Sequence, residues 1–306
     1  MPETTDVPDL RSMSLPEALR WLREHGEPAD RRPDVDTASL RRRFPRLADV
    51  SVEEHDIRTP HGIQPARVYR DRTARASARA LVWVHGGAFI GGHLDMPESN
   101  WVALELASRG IPVLAADYSK CLGDVHFPVP SDDVLAAWEM ADARAADLLG
   151  VDPGSLLLGG ASAGGNLTAG VTARLRDFGA PVPAGLVLVY PVVHPNGPAA
   201  SAQLDPASLH SQLTMNFVGS ADRLADPHAF AALGSAAGFP PTLVLVCEHD
   251  GLRPSGEAFA GQLEAAGVAV ELRIETGADH GHINEPDDPT ALPAIEAIAN
   301  WIWTLS

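Results

Sequence analysis

Long apolar runs are missing from this 306-residue chain. The longest, such as "LVLVYPVV" at 186–193, are strand-sized. They fall far short of the roughly 20 residues a membrane span needs, so no membrane partner is expected. Positive charge is scarce: 23 lysines and arginines face 40 acids, the formal net charge is −17, and Lys120 is the one lysine. Such a surface repels phosphate backbones and anionic lipids, and nucleic acid is excluded as an expected partner. The only basic cluster, Arg41, Arg42, Arg43 and Arg46, is expected to be a solvated face. Cysteine is nearly absent. Cys247 lies inside the apolar run "TLVLVC", so it and Cys121 are expected as separate thiols rather than a disulfide. The start, "MPETTDVPDLRSMS", lacks a basic region and an apolar signal core, which leads us to expect a cytoplasmic protein.

What is present is an alternation of elements. Ser14-Leu15-Pro16-Glu17 is a capping box with proline in the first turn, and Leu15, Leu19 and Leu22 mark one face of a short helix. "SVEEHDIRT" and "PARVYR" alternate as the two strands of a hairpin. Apolar strands follow at 80–84, 112–116, 156–158, 186–190, 243–247 and 270–274, with helical patterns clearest at 133–149, 255–266 and 291–305. Continuously apolar strands separated by helices predict an α/β fold with a mostly parallel sheet covered on both faces. The stretch 195–240 breaks the rhythm. The predicted organisation is a core at 46–194 and 236–306, with residues 1–45 and an insertion at 195–235 forming a helical cap.

Within this alternation, "LLLGGASAGGNLTAG" at 156–170 contains G-x-S-x-G as Gly160-Ala161-Ser162-Ala163-Gly164. The pentapeptide alone says little. Its context says more, because an apolar strand precedes Ser162 and a helical stretch follows it. A strand-to-helix corner at the carboxyl edge of a parallel sheet is where such folds bind ligands, and small neighbours allow a corner sharp enough to expose a hydroxyl.

A serine hydroxyl needs a base to take its proton, and that base needs an orienting acid. Asp250 follows the strand "LVLVC", and His280 in "ADHGHIN" follows the next strand, "VELRI". Both belong to carboxyl-end loops, in the order serine, acid, histidine. Glu248 and Asp279 compete as the acid and His282 competes as the base; Asp250 and His280 are the expected pair. His280, His282, His249 and Asp250 also suggest a metal cluster, but no complete ligand set is visible, and neither metal nor cofactor is expected. Upstream, "HGGAFIGG" places Gly86, Gly87 and Ala88 where backbone N–H groups can meet an oxyanion, with Ala163 supplying another. His85 is expected to brace that loop. Phe89, Met215, Phe217 and His282 are candidate pocket residues, and cap packing accounts for the first three equally well.

"HGGAFIGG", "AADYS", "GASAGGNL", "LVYP", "EHDGLR" and "DHGH" together resemble the hormone-sensitive-lipase-like esterases of the α/β-hydrolases, over residues 80–283. The resemblance implies an α/β-hydrolase fold with a helical cap, Ser162 as nucleophile, His280 as base and Asp250 as acid. It implies Gly87, Ala88 and Ala163 as oxyanion donors, with Gly86 shaping the loop. Three positions depart from the family pattern. Ala161 stands where many relatives carry Asp or Thr, and where relatives continue the Asp-Tyr strand with an arginine-leucine-alanine-proline-glutamate run this chain has "DYSKCLGDVHFPVP". His282 replaces a phenylalanine, which makes the region beside the base more polar.

The expected activity is hydrolysis of small neutral esters with short to medium acyl chains through an acyl-enzyme. A small-molecule ester is the expected partner, and the sequence leaves the assembly open, a homodimer included. Lactonase, amidase or acyltransferase chemistry could use the same residues. A non-catalytic receptor on this fold would lack the histidine that His280 provides.

Overall fold

The computed structural model describes residues 13–26, 35–198 and 204–305. Its hairpin of β1 (Val50–Thr59) and β2 (Gly62–Asp71) is antiparallel. β3 (Ala80–Val84), β4 (Val113–Ala116), β5 (Leu156–Ala161), β6 (Leu186–Val189) and β7 (Thr242–Cys247) are each buried along their whole length. β8 (Val270–Glu275) closes the far edge and stays largely exposed. The eight strands run in the order β1-β2-β4-β3-β5-β6-β7-β8. Only the pairs made by β2 are antiparallel. This is the mostly parallel sheet the continuous apolar runs predict.

The two faces follow from the period-2 alternation of strand side chains. Ala80, Val82 and Val84 join one apolar cluster with α4 (Val129–Ala143), α5 (Ala163–Asp177) and α7 (Arg253–Ala265). Leu81 and Trp83 join the other with α3 (Pro97–Ser108) and α8 (Ala291–Thr304). β5 runs three residues beyond the predicted end at 158, so Ser162 follows the strand directly. The single helix predicted over 133–149 is α4 followed by a separate π-helical turn at Ala145–Leu149.

At the N-terminal side, α1 (Leu15–His25) opens with the predicted capping box, the Ser14 N–H donating to Glu17 Oε2 at 3.1 Å. α1 packs against α6 (Leu209–Val218), which lies between β6 and β7. α2 (Thr37–Arg43) sits instead against α3, tied to it by Asn100 Nδ2 donating to Thr37 Oγ1 at 3.0 Å.

The basic cluster is not a freely solvated face. Arg46 forks onto Glu105 (Nε–Oε2 2.9 Å, Nη2–Oε1 2.7 Å), and Arg43 meets Asp287 at 2.6 Å. Glu105 lies on buried α3 with 0% exposure, and a buried carboxylate demands a cation. Both cysteines are buried and free, as expected. Among the described residues, no helix is long and apolar enough to cross a membrane.

Candidate active site

Ser162 sits at the β5–α5 corner with φ 52° and ψ −115°, a conformation L-residues avoid. The corner tolerates this because two neighbours are glycine. A Cβ on Gly160 would lie 2.5 Å from the Gly164 carbonyl carbon, and one on Gly164 would lie 2.2 Å from Val84 O. β3 and the first turn of α5 thus approach more closely than any side chain allows. The Ser162 N–H donates to Val189 O at 2.9 Å, anchoring the corner to β6. Its side chain is left at the surface of the cleft, at 8% exposure.

His280 arrives from the loop after β8, with Nε2 3.0 Å from Ser162 Oγ. Its Nδ1 lies 2.7 Å from Asp250 Oδ2. A carboxylate only accepts, so Nδ1 carries the proton and Nε2 is free to accept from the serine. Asp250 is itself held, because Oδ1 accepts the Leu252 N–H at 2.8 Å and only 5% of the side chain is exposed. The competing acids are turned elsewhere. β7 ends at Cys247, one residue before Glu248, whose Oε2 accepts the Gly277 N–H at 2.7 Å. Asp279 faces His249 at 3.9 Å and is widely exposed.

The loop after β3 completes the site. Gly87 has φ 116°, and a Cβ there would lie 2.0 Å from Gly91 O, so only glycine fits. Ala88 (φ 54°) and Phe89 (φ 65°) continue in left-handed conformations. The Gly86 N–H is consumed by Glu98 Oε1 at 2.5 Å. The amides of Gly87 and Ala88 donate to no acceptor among the described residues. Ala163 opens α5, where an N–H has no intrahelical acceptor. Gly87, Ala88, Ser162 and His280 line one cavity of about 630 Å³, whose remaining wall includes Glu98, Asp279, Glu285 and Asp288.

The candidate pocket residues are placed differently. Phe89 and Phe217 stack at 3.9 Å between ring centroids, inside the cluster shared with α4 and α5, and Met215 packs against that cluster. None of the three lines the 630 Å³ cavity. His282 does line it while being only 2% exposed. Its Nδ1 lies 3.3 Å from Cys247 Sγ, and its Nε2 has no partner among the described residues. Burial keeps the Cys247 thiol well above the ordinary range, so the sulfur remains S–H and donates to Nδ1.

Burial also lowers the His282 pKa, the carboxylate of Asp288 opposing it. The unfolded chain then binds a proton that the folded chain resists. Stability from this residue is therefore full above the unfolded value, about 6.5, and is lost as pH falls below it. His282→Phe is expected to flatten the drop in melting temperature between pH 8 and pH 5. Parallel melting curves for wild type and variant across that range check it.

Two residues that sequence reasoning missed join the site. Glu98 on α3 accepts the Tyr190 hydroxyl at 2.6 Å through its second carboxylate oxygen. Tyr190, at φ 37°, packs its ring 4.8 Å from that of His280. The available signal for Glu98 was an acid beside the helix-starting proline in "MPESNW"; for Tyr190, it was a polar-tipped aromatic ending the apolar strand "LVLV".

Sheet order, helices on both faces and the strained corner at the carboxyl end of β5 define an α/β-hydrolase. A family model described as the alpha/beta hydrolase fold matches residues 81–284. The chain belongs to that family, among its hormone-sensitive-lipase-like esterases. It is 34% identical over 272 residues to an ethyl acetate hydrolase of Pseudomonas putida, covering 82% of each chain. It is 32% identical to the carboxylesterase NlhH of Mycobacterium tuberculosis, over 72% of this chain and 71% of that one. Among solved structures, a hyperthermophilic esterase from Pyrobaculum calidifontis superposes with a TM-score of 0.75 at 28% identity, over 95% of this chain and 98% of that one. The carboxylesterase EstE1 from a metagenomic library superposes at 0.74 with 29% identity, over 83% and 89%.

Proposed function

We propose that this chain is a serine carboxylesterase acting on small neutral esters with short to medium acyl chains. The observation that carries the reading is the unbroken path from Asp250 Oδ2 through His280 to Ser162 Oγ. In this mechanism His280 Nε2 takes the serine proton as Oγ attacks the ester carbonyl. The imidazolium is stabilised by Asp250, and the oxyanion is received by the amides of Gly87, Ala88 and Ala163. Collapse expels the alcohol, which leaves with the proton from His280. Water then attacks the acyl-enzyme with His280 again as base, releasing the acid and restoring Ser162.

The substrate class is supported by the carboxylates Glu98, Asp279, Glu285 and Asp288 around the cavity, which disfavour an anionic ester. The short acyl chain is supported by a relative named for ethyl acetate. The cap we propose, from residues 1–45 and 195–235, is supported in its first part by the packing of α1 on α6, whereas α2 packs on α3. A panel of p-nitrophenyl esters of increasing acyl length, with a hemisuccinate beside the butyrate, tests the reading. The expected kcat/KM is highest for the acetate-to-hexanoate range, and the hemisuccinate falls at least about tenfold below the butyrate. A maximum at long chains, or a preferred hemisuccinate, contradicts it.

A further inference from the structure

The two peptide groups that meet at Gly86 are both pinned by side chains outside the loop. The N–H of the first, His85–Gly86, donates to Glu98 Oε1 at 2.5 Å. The carbonyl of the second, Gly86–Gly87, accepts the Tyr118 hydroxyl at 2.9 Å and lies 2.6 Å from His85 Nδ1. A trans peptide is planar, with its carbonyl and N–H on opposite sides. Fixing the Gly86 carbonyl therefore fixes the direction of the Gly87 N–H.

Such pinning answers a specific difficulty. Gly87 has to be glycine, because a Cβ there would meet Gly91 O at 2.0 Å. Glycine is also the residue whose flanking peptides rotate most freely. A loop that must be glycine to fit needs outside groups to remove that freedom.

The pins are themselves immobilised. Tyr118 is 2% exposed, its ring stacks on His85 at 4.9 Å between centroids, and Lys120 Nζ lies 3.9 Å from its centroid. His85 is turned by its Nε2 contact with Asp117 at 3.0 Å. Glu98 is 3% exposed, with its second oxygen on the Tyr190 hydroxyl and its own N–H on Asn284 Oδ1 at 3.0 Å. Side chains from the loop after β4 and from α3 thus converge on a single glycine beside a proposed oxyanion donor.

We propose that Tyr118 and Glu98 are positioning residues for ester hydrolysis: they lock the peptides on either side of Gly86 so that the Gly87 N–H is held ready for the oxyanion. The inference rests on the esterase reading above. Tyr118 belongs to "AADYS", which matches the family pattern, while Lys120, whose Nζ packs on its ring, belongs to the run that departs from it.

Tyr118→Phe removes one hydroxyl and keeps the buried ring. It is expected to lower kcat for p-nitrophenyl butyrate by about 10–100-fold, with KM within about threefold and an unchanged circular dichroism spectrum. A trifluoromethyl ketone that mimics the tetrahedral state should weaken by the same factor as kcat/KM, and an isosteric ground-state amide should bind as before. Glu98→Gln, which keeps an acceptor for the Gly86 N–H, should retain at least about tenfold more activity than Glu98→Ala. Tyr118→Phe within twofold of wild-type kcat, or equal weakening of ketone and amide, overturns the proposal while leaving the esterase reading standing. A folded wild type that hydrolyses no short ester overturns both.

Discussion

Ser162→Ala is expected to lower ester turnover by about 10⁴–10⁶-fold with the fold intact. The substitution deletes one oxygen and little else. The backbone at 162 already holds φ 52° with a Cβ present, so alanine meets no new strain there. The Ser162 N–H stays on Val189 O, and Gly160 and Gly164 still permit the close approach of β3 and α5. What disappears is the hydroxyl 3.0 Å from His280 Nε2. The residual rate is expected from the proposed oxyanion amides and binding alone. Initial rates on p-nitrophenyl acetate with a purified variant, alongside its circular dichroism spectrum, measure the effect. A folded variant keeping more than a few per cent of activity would remove Ser162 from the mechanism.

Asp250→Asn is expected to cost about 10³–10⁴ in kcat with KM little changed. The Asp250 carboxylate accepts from His280 Nδ1 at 2.7 Å and from the Leu252 N–H at 2.8 Å. Asparagine can keep the backbone contact only by turning its NH₂ toward Nδ1, which forces the proton onto Nε2. His280 then cannot accept from Ser162, and the imidazolium formed during attack loses its counter-charge. Glu248→Gln should cost under about tenfold, because Glu248 accepts the Gly277 N–H and not His280. Steady-state kinetics on both variants decide between the acids, and a reversed order makes Glu248 the orienting group.

The sheet and much of the site geometry were legible in the sequence for definite reasons. Strands such as "ALVWV" and "TLVLVC" are buried on both faces and so read as unbroken apolar runs. The glycines around Ser162, and the positions of Asp250 and His280 just past their strands, show in order and spacing alone. α3 was not singled out, because it is buried on nearly every side and carries no amphipathic stripe. With α3 went Glu98, whose partners Gly86 and Tyr190 lie 12 and 92 positions away. The pairing of Arg46 with Glu105 spans 59 positions and was equally invisible. Phe89 and Phe217 resemble pocket aromatics in sequence; only packing reveals that they stack on each other. Long-range side-chain contacts of this kind have no local periodicity to announce them.

The central claim is that ester cleavage passes through an acyl group on Ser162. Peptide mass spectrometry of the enzyme after reaction with a fluorophosphonate tests it most directly, because the reagent attaches to the activated serine and cannot be turned over. The account predicts one adduct per chain, on the peptide containing Ser162, appearing in step with loss of esterase activity and absent from Ser162→Ala. An adduct on another residue, or full hydrolysis by enzyme already labelled at Ser162, would contradict it.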